Sequence, residues 1–133
     1  PANRFVFSFL GLSNFVPVAL HDGLVWPAGS AGSSLECEIP HDWEDDRAVL
    51  ATRPNEIQLT AEGGYRTRIK NRVFLGDYVE YRMDIGDTEV RVQTHEHRDF
   101  QVGHVCGIRL GKVKWYPAED EVSDEERERR KVI

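Results

Sequence analysis

The chain has 133 residues, enough for one compact domain or two very small ones, of which 40% are apolar and 30% charged. That balance, with six Phe, four Tyr and three Trp to build a core, excludes a disordered chain. A formal net charge of −6 argues against a dedicated nucleic-acid or anionic-lipid binder, and no apolar run approaches the roughly 18–20 residues that cross a bilayer as a helix.

The elements follow in chain order. Phe5, Phe7 and Phe9 share one face of a first strand before Gly11. A short strand over residues 15–20 is closed by His21-Asp22-Gly23, and the small residues of 28–34 read as a loop. Leu35, Cys37 and Ile39 alternate with Glu36 and Glu38, which predicts a strand stopped by Pro40. Residues 41–47 form an acidic turn, and 48–50 lead through Arg53-Pro54 to Ile57 and Leu59. Tyr65, Thr67, Ile69, Val73 and Leu75 are set against Arg66, Arg68, Lys70 and Arg72 in one long strand before Gly76. Val79, Tyr81, Met83 and Ile85 make a core face opposite Glu80, Arg82 and Asp84; Gly86-Asp87 closes a hairpin onto Val90 and Val92. Cys106, Ile108 and Leu110 form another face, and the phase slips by one at Gly111 before Val113 and Trp115, which predicts a bulge or sharp bend.

No helix of two turns or more is expected in residues 1–117. Ser123-Asp124-Glu125-Glu126 has capping-box form and is followed by Arg127, Arg129, Arg130 and Lys131, so the tail reads as a short solvated helix or a frayed end. The class is all-β: an OB-fold-like barrel with an additional small β-layer from the N-terminal part. The organisation expected is an N-terminal β segment at 1–50, the barrel at 51–117 and a charged tail at 118–133.

Four constellations bear on chemistry. The span Gly107-Ile108-Arg109-Leu110-Gly111-Lys112-Val113 is one residue short of a phosphate-binding loop, ends in Val and sits in strand-like sequence, so it is not one. His95 with His97, and His104 with Cys106, are i,i+2 pairs that point to one strand face each and offer four tetrahedral ligands; surface polar residues at a hairpin end are the plainer account. Arg66, Arg68, Lys70 and Arg72, with Phe74 in phase, suit an oxyanion or a phosphate backbone, or else a solvated face neutralised by Glu80, Asp84 or Glu89. Glu36, Glu38, Asp42, Glu44, Asp45 and Asp46 are a charge run of the kind found on solvated loops. No nucleophile elbow is present, and Cys37 and Cys106 are expected as reduced thiols of a cytosolic protein. No catalytic, cofactor or metal residue is assigned. With Met83 as the lone methionine and Pro1 at the start, the chain is expected to be a segment of something longer.

The opening Pro1-Ala2-Asn3-Arg4-Phe5-Val6-Phe7-Ser8-Phe9-Leu10-Gly11 with Ser13-Asn14-Phe15 resembles a particular junction. It is where the ATPase domain gives way to the regulatory domain in ATP-binding subunits of ABC importers of the iron(III), polyamine and sugar type. Arg53-Pro54-Asn55-Glu56-Ile57 is similar to the family's R-P-E-x-[ILV] segment, with Asn55 where Glu is usual. Val73-Phe74-Leu75-Gly76-Asp77 is similar to its Phe-Leu-Gly strand, closer to iron(III) and polyamine relatives than to sugar ones, and Gly103 falls at the usual glycine before the last strand.

The resemblance covers about residues 1–115 and implies the transport-associated OB (TOBE) domain. By it, the parent protein is a membrane-associated transport ATPase that couples ATP hydrolysis to solute uptake. It lies in the cytoplasm on the inner face of the membrane, with ATP and Mg held by an upstream domain and no cofactor held here. The implied partners are a second copy, through this regulatory domain, and the ABC permease subunits through the parent, with no nucleic acid and no insertion into the membrane. The alternative is a self-contained β-barrel that binds a small oxyanion or metal.

Overall fold

The computed structural model describes residues 13–30, 32–95 and 100–118. Phe5, Phe7, Phe9, His97 and the charged tail beyond 118 lie outside these residues. Strand β1 (Asn14–His21) turns through Asp22 and Gly23 into β2 (Leu24–Pro27). Both turn residues have positive φ, 56° and 72°, the pair of left-handed conformations that a two-residue hairpin loop requires and that Asp and Gly tolerate. The other edge of β1 takes β3 (Arg47–Thr52), and β3 takes β10 (Lys114–Tyr116), giving a sheet of order β10-β3-β1-β2. The layer thus draws its last strand from the C-terminal end of the described chain.

The strand expected over Leu35, Cys37 and Ile39 does not form. Leu35 alone bridges Val25, and continuing that antiparallel register would put Cys37 opposite Gly23, in the turn, where β2 has already ended. The alternation there records burial without pairing: Leu35 is buried, and Cys37 and Ile39 pack against the core from a loop.

A 3-10 turn at Pro54–Glu56 leads into the barrel, whose strands are β4 (Ile57–Thr60), β5 (Tyr65–Arg68), β6 (Asn71–Leu75), β7 (Tyr78–Ile85), β8 (Thr88–Thr94) and β9 (Val105–Leu110). They form two sheets, β4-β9-β5 and β6-β7-β8. The single long strand expected over residues 65–75 is divided between them. Ile69 stays with the β9 side, donating to His104 O at 2.9 Å and accepting from Gly103 N at 2.8 Å. Lys70 N instead donates to Arg82 O at 2.8 Å, although the ladder partner of Arg82 is Asn71. Two residues against one make a β-bulge, which bends the strand around the barrel corner. Lys70 and Asn71 are both exposed, so the phase shifts by one beyond them. Val73 and Leu75, expected to share the face of Tyr65 and Ile69, emerge at 37% and 41% exposure.

The predicted hairpin at Gly86-Asp87 forms, joining β7 to β8 with Gly86 at φ 61°. One core runs through all three sheets: Val16, Val18 and Leu50 from the first, Ile57, Tyr65 and Ile108 from the second, and Val79, Tyr81, Met83, Ile85, Val90 and Val92 from the third. The result is an all-β, OB-fold-like barrel with a β-layer welded to it. No helix among the described residues is long and apolar enough to cross a membrane.

Candidate functional site

The motif residues build the joints of the molecule. Arg53-Pro54 starts the 3-10 turn, with buried Pro54 in its first turn, where the missing N–H costs nothing. The turn delivers the Glu56 carbonyl to Gly111 N at 2.7 Å, and a Cβ on Gly111 would lie 2.6 Å from that oxygen. Gly111 is therefore the bend at which the chain leaves the barrel as β9 and joins the layer as β10. The phase slip in the sequence marks this exit.

A second joint uses Asn14, which is 6% exposed. Its side-chain amide donates to Arg91 O at 2.8 Å and its side-chain oxygen accepts from Arg91 N at 2.9 Å. One side chain thus stands in for a ladder residue on the open edge of β8. Sequence reasoning placed Asn14 within a motif without giving it a role, because nothing local shows a partner 77 positions away. A third joint is Tyr65, whose hydroxyl donates to Ser30 Oγ at 2.9 Å and accepts from Gly86 N at 3.0 Å. Asp87 N completes it with a 2.8 Å bond to Ala28 O, docking the β7–β8 hairpin tip on the loop after β2.

The constellations with chemical potential are dispersed or already occupied. Arg66 donates to the carbonyls of Ala61 and Gly63, both at 3.1 Å, and Arg68 donates to Gly103 O. Lys70 pairs with Glu89 at 3.0 Å and Asp84 at 3.2 Å. Hydrogen bonds to Glu89 and then Asp84 hold its ammonium above the ordinary lysine range, and Lys70 in turn holds the Glu89 carboxyl below its own. Arg72 lies beyond the bulge, with its guanidinium 4.8 Å from the Phe74 ring centroid. The stripe is thus four separate local contacts, and Asp84 and Glu89 neutralise Lys70 across the sheet as the solvated reading expects.

His95 Nδ1 lies 3.2 Å from Asp77 O, and its ring meets Tyr78 edge-on. Among the described residues no group of three His, Cys, Asp or Glu is placed to hold a metal. Cys37 and Cys106 are free thiols; burial raises the pKa of both, with Glu38 adding to the shift at Cys37 and Arg66 opposing it at Cys106. Gly107 lies within β9, where a Cβ would lie 2.0 Å from Gly63 O, so this glycine serves close strand packing. Of the acidic run, Glu36 alone has a side-chain ion pair among the described residues, with Arg109 at 2.7 Å.

Residues 50–113 match the TOBE domain family. The chain belongs to that family. It is similar to the spermidine/putrescine import ATP-binding protein PotA of Pseudomonas fluorescens, with 31% identity over 120 residues, 81% of this chain and 32% of that protein. PotA 1 of Pseudomonas aeruginosa is 30% identical over 122 residues, 84% of this chain and 33% of its own length. The Fe(3+) ions import ATP-binding protein FbpC of Brucella abortus is 30% identical over 87 residues, covering 63% of this chain and 25% of the relative. The chain therefore spans a third or less of the length of these curated relatives.

Among the described residues, two features of the TOBE domain face solvent. One is a groove of ≈ 720 Å³ between β4 and β8, lined by Asn55, Gln58, Thr60, Gln93, Thr94 and His95 among others. The other is the β6 edge, where Phe74 is 64% exposed between Val73 and Leu75. Most of a strand's apolar residues in solvent is unusual for a monomer surface, since unpaired apolar edges invite pairing.

Proposed function

We propose that this chain is the regulatory and dimer-forming part of the ATP-binding subunit of an ABC importer. The observation that carries the reading is the TOBE domain at residues 50–113 in a chain whose relatives are named import ATP-binding proteins. The glycines nearest in pattern to a nucleotide loop support it, since Gly107 packs against Gly63 O and Gly111 bonds Glu56 O. On this reading the parent is a cytoplasmic protein held on the inner face of the membrane by its permease subunits. ATP and Mg belong to a domain upstream, and this segment catalyses nothing. The barrel strands β4 to β9 and the described β-layer act as one rigid body, because Asn14 and Tyr65 tie them by side-chain bonds of 2.8–2.9 Å. Such a body suits a contact that stays docked while ATPase domains open and close.

The test is the parent transporter reconstituted in vesicles with this 133-residue segment removed. The free subunit should still hydrolyse ATP, while hydrolysis coupled to uptake falls. Loss of hydrolysis by the free subunit would place nucleotide chemistry in this segment and overturn the proposal, as would fully unchanged coupling.

A further inference from the structure

The hydrogen-bond phase of the third sheet shows which backbone groups β6 turns outward. Arg91 N and O both bond to Asn14, so they point away from β7. Arg91 and its ladder partner Arg82 are then a non-hydrogen-bonded pair, and Arg82 directs its own N–H and C=O towards β6. Arg82 O accepts from Lys70 accordingly. Because the pattern alternates, Asn71, Val73 and Leu75 bond to β7, while the N–H and C=O of Arg72 and Phe74 face the free edge. The Arg72 N–H confirms this phase: it donates to Asn71 Oδ1 at 2.8 Å, a bond within its own dipeptide. Among the described residues, the sheet order has no further strand beyond that edge.

From this geometry we infer that β6 is a self-pairing edge, joining antiparallel to β6 of a second copy about a two-fold axis at Val73. The inference rests on the dimer-forming role proposed above and names the surface for it. That register sets Arg72 against Phe74 of the second copy and Phe74 against its Arg72. With the Arg72 N–H exchanging Asn71 Oδ1 for the carbonyl of the second copy, all four outward N–H groups and carbonyls of Arg72 and Phe74 then pair reciprocally, the self-complementarity that a two-fold interface demands. No other centre on the strand uses all of them. On the side-chain face, each Arg72 guanidinium meets a Phe74 ring across the axis, repeating the contact it makes within one copy at 4.8 Å. Arg72 Nε, enclosed and without a hydrogen-bond partner among the described residues, belongs to this same face. Val73 meets Val73 on the opposite face, and Leu75 lies beside Asn71.

A five-residue strand covers less than the roughly 800 Å² per partner of a standard interface, so the isolated chain should associate with a dissociation constant on the order of 10–1,000 µM. Within a subunit already held together elsewhere, such a contact is strengthened by effective concentration.

The experiment is sedimentation of the 133-residue chain from about 10 µM to about 1 mM, with amide hydrogen exchange at both ends of that range. Association is expected, with exchange at the Phe74 amide slowing at least about tenfold at high concentration while Val73, already in the β7 ladder, is unchanged. Phe74→Pro deletes the outward donor and ring without removing a ladder bond to β7, and should weaken association at least about tenfold. Arg72→Glu keeps every backbone group but removes the cation–aromatic face. It should weaken association several-fold, and it serves as the readout should the proline variant not fold. A chain that stays monomeric at the highest concentration overturns both the surface and the dimer role of this segment. A chain that associates equally in both variants, with no slowing at Phe74, overturns the surface and leaves the dimer role standing.

Discussion

Replacing Asn14 by Ala tests how the β-layer and the barrel are joined. The side chain is 6% exposed and makes two hydrogen bonds, of 2.8 and 2.9 Å, to one backbone residue of β8. Alanine leaves Arg91 N–H and C=O without these partners, and an orphaned buried polar group costs about 1–3 kcal/mol. Arg91 is partly exposed, with 28% of its side chain accessible, so water recovers part of the loss and each group belongs at the lower end of that range. The sum is about 2–3 kcal/mol, a large share of the roughly 5–15 kcal/mol that holds a domain of this size. With a urea m-value of about 2 kcal/mol/M, the unfolding midpoint should fall by about 1–1.5 M with the slope unchanged. Asn14→Asp retains an acceptor for Arg91 N–H but loses the donor to Arg91 O and sets a carboxylate beside that carbonyl, so it gains little over Ala. The Arg91 amide should also exchange faster in Asn14→Ala, where its acceptor is lost. A loss in Asn14→Ala below about 0.5 kcal/mol would refute the reasoning, because the two bonds would then add nothing that water does not supply.

Gly86→Ala places a Cβ 2.1 Å from Ala28 O at φ +61° and should cost more than about 3 kcal/mol, whereas Gly76→Ala, at φ +75° with nothing within 4 Å, should cost only the strain of about 1–2 kcal/mol; paired thermal melts separate clash from strain. Tyr65→Phe removes the hydroxyl that Ser30 and Gly86 share and should lower stability by about 1–2 kcal/mol in urea titration, without loss of fold. Burial raises the pKa of both thiols, so alkylation at pH 7 should be slow at half-buried Cys37 and require opening of the core at Cys106, as mass spectrometry over time would show. Lys70 lowers the Glu89 pKa from 4.5, so the contribution of that carboxylate is present above this value and lost as pH falls through the lower folded value. Glu89→Gln should therefore flatten the acid limb of a stability-versus-pH curve by lowering the neutral plateau slightly, while the acid end stays where it is.

The alternation of Val79, Tyr81, Met83 and Ile85, with Gly86-Asp87 after them, was enough to read the β7–β8 hairpin, because each residue's burial there follows from period two. The same reasoning failed for residues 65–75. A bulge at Lys70 and Asn71 is set by which sheet each half must join, and no side chain in that stretch announces it. Leu35, Cys37 and Ile39 show the converse: a burial pattern in a loop that packs on the core mimics a strand when its partner is too short. The joints at Asn14, Tyr65 and Gly111 depend on contacts between distant residues. Of these, Gly111 alone left a local trace, as a slip in phase. The outward edge of β6 was hidden for the same reason as the bulge, since its exposure appears only after the shift that the bulge imposes.

The most direct test of the central claim lies in the coding sequence upstream of the Pro1 codon. An importer regulatory segment predicts an in-frame phosphate-binding loop and ABC signature within the roughly 230 preceding codons, the span of one ATPase domain. A start codon immediately before Pro1 would contradict the account and identify a freestanding barrel.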